Sequence, residues 1–163
     1  MINTYDLFVT RISHGKLPIP VDIHKNILSF VEEKYTIGNT ISCVEGFQFH
    51  QEFYGKKELN TILNNYFSNI FNLKLQDGWL NVLGPNSHNK PHSHNGNNIS
   101  HSGVFYLSDN NNNITFSKNG DIFEIKPKLF EYLIFPNDLI HYVLPEIRNN
   151  KRICYAFNIE RII

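Results

Sequence analysis

From Leu73 to Ile163 the chain is a succession of short β-branched and aromatic runs separated by clusters of Asn, Gly, Asp and Pro. That pattern admits little besides an antiparallel sheet protein, because frequent turn residues bring each short run back beside its neighbour. The spacing predicts strands over Leu73 to Leu83, Ser102 to Leu107, Asn113 to Ser117, Asp121 to Ile125, Phe130 to Phe135, His141 to Leu144 and Arg152 to Glu160.

Ahead of this block the period lengthens. Between Lys56 and Asn72 the apolar residues Leu59, Ile62, Leu63, Tyr66, Phe67, Ile70 and Phe71 recur at three- and four-residue intervals, which predicts an amphipathic helix. A second helix is predicted over Val21 to Tyr35, where Ile23, Ile27, Val31 and Tyr35 repeat every four residues, Asp22 marks the start and Gly38 lies beyond the end. Residues Tyr5 to Ile12 are expected to form a first strand, ended by Gly15, Pro18 and Pro20. The expected fold is mostly β: a double-stranded β-helix, jelly-roll or cupin-like, with the two N-terminal helices packed on the outside and the interior left for a ligand. At 163 residues the expectation is a single domain over 1–163, with the first strand and supporting helices in 1–72 and the jelly-roll core in 73–163.

Charge and cysteine usage narrow the partners. Fifteen basic residues balance 15 acidic ones, so nothing argues for a nucleic acid or an anionic membrane as partner. No stretch reaches membrane-spanning length, and the N-terminal segment, which carries Asp6 and Arg11, has no cleavage signal. A cytoplasmic protein is expected, or one of the host cytoplasm if a phage encodes it. Cys43 and Cys154 lie far apart in apolar surroundings and match no ligand or redox spacing, which reads as two buried, reduced thiols. The Asn-rich run Asp109 to Asn113 reads as a solvated turn, and Trp79 with the many Phe and Tyr residues reads as core.

The chemical signal is histidine. Of eight in the chain, His88, His92, His94 and His101 fall within one short segment. On a strand, residues i and i+2 share a face, so His92 and His94 can aim at one point. A surface strand can also carry such a pair by accident. His141 adds a third imidazole after the Phe135-Pro136 turn, at the head of the apolar run Tyr142-Val143-Leu144, where a polar ring needs a partner; a backbone hydrogen bond is the plain alternative to a metal. Imidazole suits iron, zinc, copper and nickel, so these residues leave the metal open. Arg152 opens another apolar strand, where its guanidinium is costly to bury without a carboxylate; a surface position beside Lys151 would remove that cost. Asn81, Ser102, Tyr106 and Asn158 are polar residues near this cluster that could complete a pocket, while His88 and His101 receive no role.

In order and spacing, Trp79-Leu80-Asn81, Asn89-Lys90-Pro91-His92-Ser93-His94, Ser102 to Leu107, Phe135-Pro136, His141, Val143, Pro145, Arg152-Ile153 and Ala156-Phe157-Asn158 resemble the small 2-oxoglutarate/iron(II)-dependent oxygenase family of bacteria and cyanophages. The resemblance covers about half the chain. It implies a double-stranded β-helix enzyme that hydroxylates a substrate, a small molecule or a peptide, with release of succinate and carbon dioxide. It also implies that His92 and His141 are iron ligands and that Arg152 grips the distal carboxylate of 2-oxoglutarate. One position departs from the wider superfamily, which presents His-x-Asp or His-x-Glu where this chain has His94, and no Asp or Glu lies between Asp77 and Asp109 to replace it. Three neutral ligands leave the ion one positive charge richer than two His and a carboxylate, which favours anionic co-ligands. Two other readings remain open: a three-His cupin-type metalloenzyme that does not use 2-oxoglutarate, and a non-catalytic jelly roll that binds a sugar or a protein.

Overall fold

The computed structural model describes residues 9–40, 42–94, 96, 98–109, 112–145 and 150–161. Its elements run β1 (Ser13–Lys16), α1 (Val21–Lys34), β2 (Cys43–Val44), β3 (Phe47–Phe49), α2 (Lys56–Phe71), β4 (Leu73–Leu83), β5 (His88–His92), β6 (His101–Tyr106), β7 (Ile114–Lys118), β8 (Asp121–Ile125), β9 (Glu131–Pro136), β10 (Ile140–Val143) and β11 (Arg152–Arg161). The strands form two antiparallel sheets, one of order β1-β9-β6-β11-β4-β3 and one of order β2-β5-β10-β7-β8. The protein is mostly β with two helices, consistent with a jelly roll. No helix among the described residues is long and apolar enough to cross a membrane.

Strand β11 shows how sequence period becomes architecture. Ile153, Tyr155, Phe157 and Ile159 lie on one face and join Leu59, Leu63 and Phe67 of α2 and Ile27 and Val31 of α1 in the largest apolar cluster. The alternate residues Arg152, Cys154, Ala156 and Asn158 face the other way, toward the second sheet. Close packing on the helix side needs glycine in the neighbouring strands. Phe157 pairs with Gly78 of β4 and Gly103 of β6, and a Cβ at Gly103 would collide with the Phe157 ring. Between the sheets, Val104, Tyr106, Phe135 and Cys154 pack against Ile114 and Phe116 of β7, which fills one part of the interior with apolar side chains. α2 stops at Asn72, whose left-handed backbone (φ 54°) turns the chain directly into β4.

Two differences from the sequence expectation have physical causes. The first strand is Ser13–Lys16; Val9 to Ile12 carry no regular structure, and Tyr5 to Phe8 of the predicted strand lie outside the described residues. Gly15, expected to end a strand, is inside one: it pairs with Tyr132 of β9, whose ring occupies the space a side chain at Gly15 would need. β5 is polar and contains Pro91, so alternation hides it. Its register with β10 shifts between the pairs His141–His92 and Val143–Asn89. Lys90 and Pro91 thus share one opposing residue, Tyr142, and proline is tolerated in such a bulge.

Candidate metal centre

The register of β5 and β10 sets His92 directly opposite His141, with ring centroids 4.3 Å apart. His94 is not on the strand. It follows the end of β5, its backbone N–H donates to the Asn137 carbonyl at 2.8 Å, and its ring lies 5.3 Å from that of His92 and 5.2 Å from that of His141. The three rings therefore meet because a loop is tied back onto the β9–β10 turn rather than by the i, i+2 alternation of one strand. Their nitrogen ligand atoms all lie within 4.8 Å of one another, and no other group of three such side chains gathers among the described residues.

Hydrogen bonds settle what each ring presents. Nδ1 of His92 meets the Lys90 carbonyl at 2.7 Å, Nδ1 of His141 meets the Leu139 carbonyl at 3.0 Å, and Nδ1 of His94 meets Oδ1 of Asn158 at 2.7 Å. Carbonyl and amide oxygens only accept, so each Nδ1 donates, and in a neutral ring this leaves the Nε2 lone pair free for an ion. Burial lowers the pKa of His141 to about 3, helped by the neighbouring imidazoles of His92 and His94. Burial also lowers that of His92, against the Lys90 carbonyl, which raises it. Neutral rings at physiological pH are what metal ligation requires.

Across the same cavity lies Arg152, 3% exposed. Its Nη1 donates to the Cys154 sulfur and its Nη2 to the Tyr106 hydroxyl, each at 3.2 Å, the Tyr106 ring lies 5.0 Å from the guanidinium carbon, and Nε–H has no partner among the described residues. Burial raises the pKa of both Tyr106 and Cys154 despite the nearby guanidinium, so both stay protonated at neutral pH. Among the described residues Arg152 is thus a buried cation with no anion beside it, an arrangement that is costly unless a ligand supplies one. Asn81 also lines the cavity. Its Nδ2 donates to Asn89 Oδ1 at 3.0 Å, and its own buried Oδ1 has no partner among the described residues.

Ser102 lines the cavity with Asn81 and Arg152, whereas Tyr106 and Asn158 do not; they stand behind its walls, Tyr106 against Arg152 and Asn158 against His94. Trp79, read from sequence as core, lines the cavity and stacks on His94 with centroids 5.7 Å apart and planes 23° apart. Asn89 and Cys154 line it as well; Asn89, a buried polar residue within the hidden strand β5, leaves no sequence signal, and Cys154 reads from sequence only as a buried thiol. His88 and His101 stay outside the cluster, His101 against the Ser100 hydroxyl at 3.0 Å. Cys43 and Cys154 are both free and buried.

No family model matches the chain, and no curated protein does. Solved structures do. A Pseudomonas putida prolyl-4-hydroxylase superposes with a TM-score of 0.66 at 12% identity, over 93% of this chain and 93% of that one. The fold is shared with 2-oxoglutarate/iron(II) oxygenases. A 2OG-Fe(II) oxygenase family oxidoreductase from Burkholderia pseudomallei gives a TM-score of 0.57 at 14% identity, over 70% of this chain and 61% of that one. HygX from Streptomyces hygroscopicus, solved with nickel, 2-oxoglutarate and hygromycin B bound, gives 0.66 at 11% identity, over 94% of this chain and 84% of that one.

Proposed function

We propose that the chain is an iron(II)- and 2-oxoglutarate-dependent oxygenase, a single domain over 1–163, that hydroxylates a small molecule or a peptide and releases succinate and carbon dioxide. One observation carries the reading: three imidazoles gather their ligand nitrogens in a cavity that is also lined by a buried guanidinium with no counter-ion among the described residues. Three neutral imidazoles form a donor set that suits iron, and a dicarboxylic 2-oxo acid supplies an anion at each end, one for the ion and one for Arg152. The likeness to HygX, solved with 2-oxoglutarate, supports the choice of co-substrate.

In this reading His92, His94 and His141 hold the ion, and Arg152 fixes the distal carboxylate and so the direction in which the acid enters. Tyr106 and Cys154 brace the guanidinium, and Asn81 and Ser102 are polar groups of the cavity placed to meet the bound acid or an ordered water. Iron bound there would supply the activation of dioxygen that couples oxidative decarboxylation of 2-oxoglutarate to oxidation of a substrate C–H bond. The apolar residues packed between the sheets keep water from the reacting groups. Two free cysteines agree with a reducing cytoplasm.

Anaerobic titration of the iron(II)-loaded protein with 2-oxoglutarate tests this reading. Chelation produces a weak visible charge-transfer band that saturates with the acid and is absent with succinate. A protein that binds iron(II) but develops no band would be a three-His metalloenzyme of another kind, a rival that the neutral His94 keeps in view.

A further inference from the structure

His92 and His141 need little help to face the ion, since the β5–β10 ladder pairs them directly. His94 has no such ladder. Beyond its single backbone bond to Asn137, its ring is held from two directions, by the face of Trp79 and by Oδ1 of Asn158. Asn158 comes from a different part of the chain, the inner face of β11, and is itself buried at 7% exposure. Its cross-strand partner on β6, Ser102, donates to the same Oδ1 at 3.4 Å, which helps fix the amide with its oxygen toward the ring. A buried amide in a strand is retained only where its polar atoms are used.

Resting on the three-histidine reading above, we propose that Asn158 is the positioning residue that turns His94 into the third ligand. An amide oxygen cannot donate, so it holds the ring in the tautomer with Nδ1 protonated and Nε2 bare, and it sets the ring plane. Because the amide is neutral, it does this without drawing the proton from Nδ1. The third ligand therefore stays a neutral imidazole, and the site keeps the extra positive charge that a carboxylate ligand would have removed. Asn158 in this role contacts neither substrate nor co-substrate; it acts through His94.

Cobalt(II) binding to the metal-free protein, followed by its visible d–d absorption, measures the effect without turnover. Asn158→Ala is expected to weaken cobalt(II) binding by about 10–100-fold, the usual cost of losing a hydrogen-bond partner of a ligand. Asn158→Asp, which keeps an acceptor in place, should retain binding. In a His94→Ala background the Asn158→Ala change should have no further effect, because its one route to the ion is gone. Wild-type affinity in Asn158→Ala, or an equal loss in the His94→Ala background, overturns the inference while leaving three ligands in place. Wild-type affinity in His94→Ala overturns the three-ligand reading and this inference together. Should Asn158→Ala fail to fold, long-range nitrogen NMR of the unsubstituted metal-free protein decides: a proton on Nδ1 of His94 supports the role, and a proton on Nε2 refutes it.

Discussion

In an Arg152→Met protein, 2-oxoglutarate is expected to bind at least about a hundredfold more weakly, since removing one partner of a buried charge pair costs about 3–5 kcal/mol. The guanidinium is buried and, among the described residues, donates only to a thiol and a phenol, so little screening softens that loss. The same change should leave the melting temperature of the ligand-free protein equal or higher, because an apolar side chain of similar length replaces a cation that has no counter-ion among the described residues. Cobalt(II) affinity should be unchanged. Arg152→Lys is not expected to rescue binding of the acid, for an ammonium cannot reproduce the planar fork that meets a carboxylate with two parallel bonds. Thermal shift against increasing 2-oxoglutarate reads all of this, since stabilisation grows with ligand concentration over Kd. An Arg152→Met protein stabilised by the acid as strongly as the wild type would show that the carboxylate goes elsewhere.

The second large effect concerns the ion. His92→Ala and His141→Ala are each expected to lower iron(II) or cobalt(II) affinity by more than about a hundredfold, beyond the loss typical for a hydrogen-bond partner alone. His88→Ala and His101→Ala, which alter histidines of the same sequence cluster, should leave affinity at the wild-type level because neither ring reaches the site. His141→Ala also opens space beside Phe135 and Phe116, so its ligand-free melting curve is needed to separate a lost ligand from a loosened core. If His88→Ala weakened binding as much as His92→Ala, the ion would have to sit elsewhere on β5.

Much of this was legible in the residues. β4 and β8 fall on their predicted spans, and most other strands shift by a residue or so, because short β-branched and aromatic runs bounded by turn residues mark strands even where, as in β8, neither face is buried. Helix α2 was equally plain from its stripe, of which Leu59, Leu63 and Phe67 are buried. What failed were elements whose pattern is overridden by pairing. β5 is absent from the predicted strands, since its residues are polar and include Pro91, yet it lies between β2 and β10. β1 is held by the Gly15–Tyr132 fit, which no periodicity encodes.

The same division runs through the site. His92, His141 and Arg152 could be named because each is a polar intruder beside or within an apolar run. His94 could be named from its spacing, but not for the right reason, since its ring arrives from a loop rather than from a strand face. Asn158 was visible as an amide out of place in a strand, and in the structure its amide oxygen meets His94. Trp79 was hidden altogether, because a tryptophan that stacks on a metal-site histidine looks, in sequence, like any other core aromatic.

A crystal soaked with manganese(II), which does not turn over, and 2-oxoglutarate would test the arrangement most directly. One ion bonded to Nε2 of His92, His94 and His141, chelated by the 2-oxo acid with its far carboxylate paired to Arg152, is the predicted result. An ion held by only two of the rings, or an acid lying away from Arg152, would contradict it.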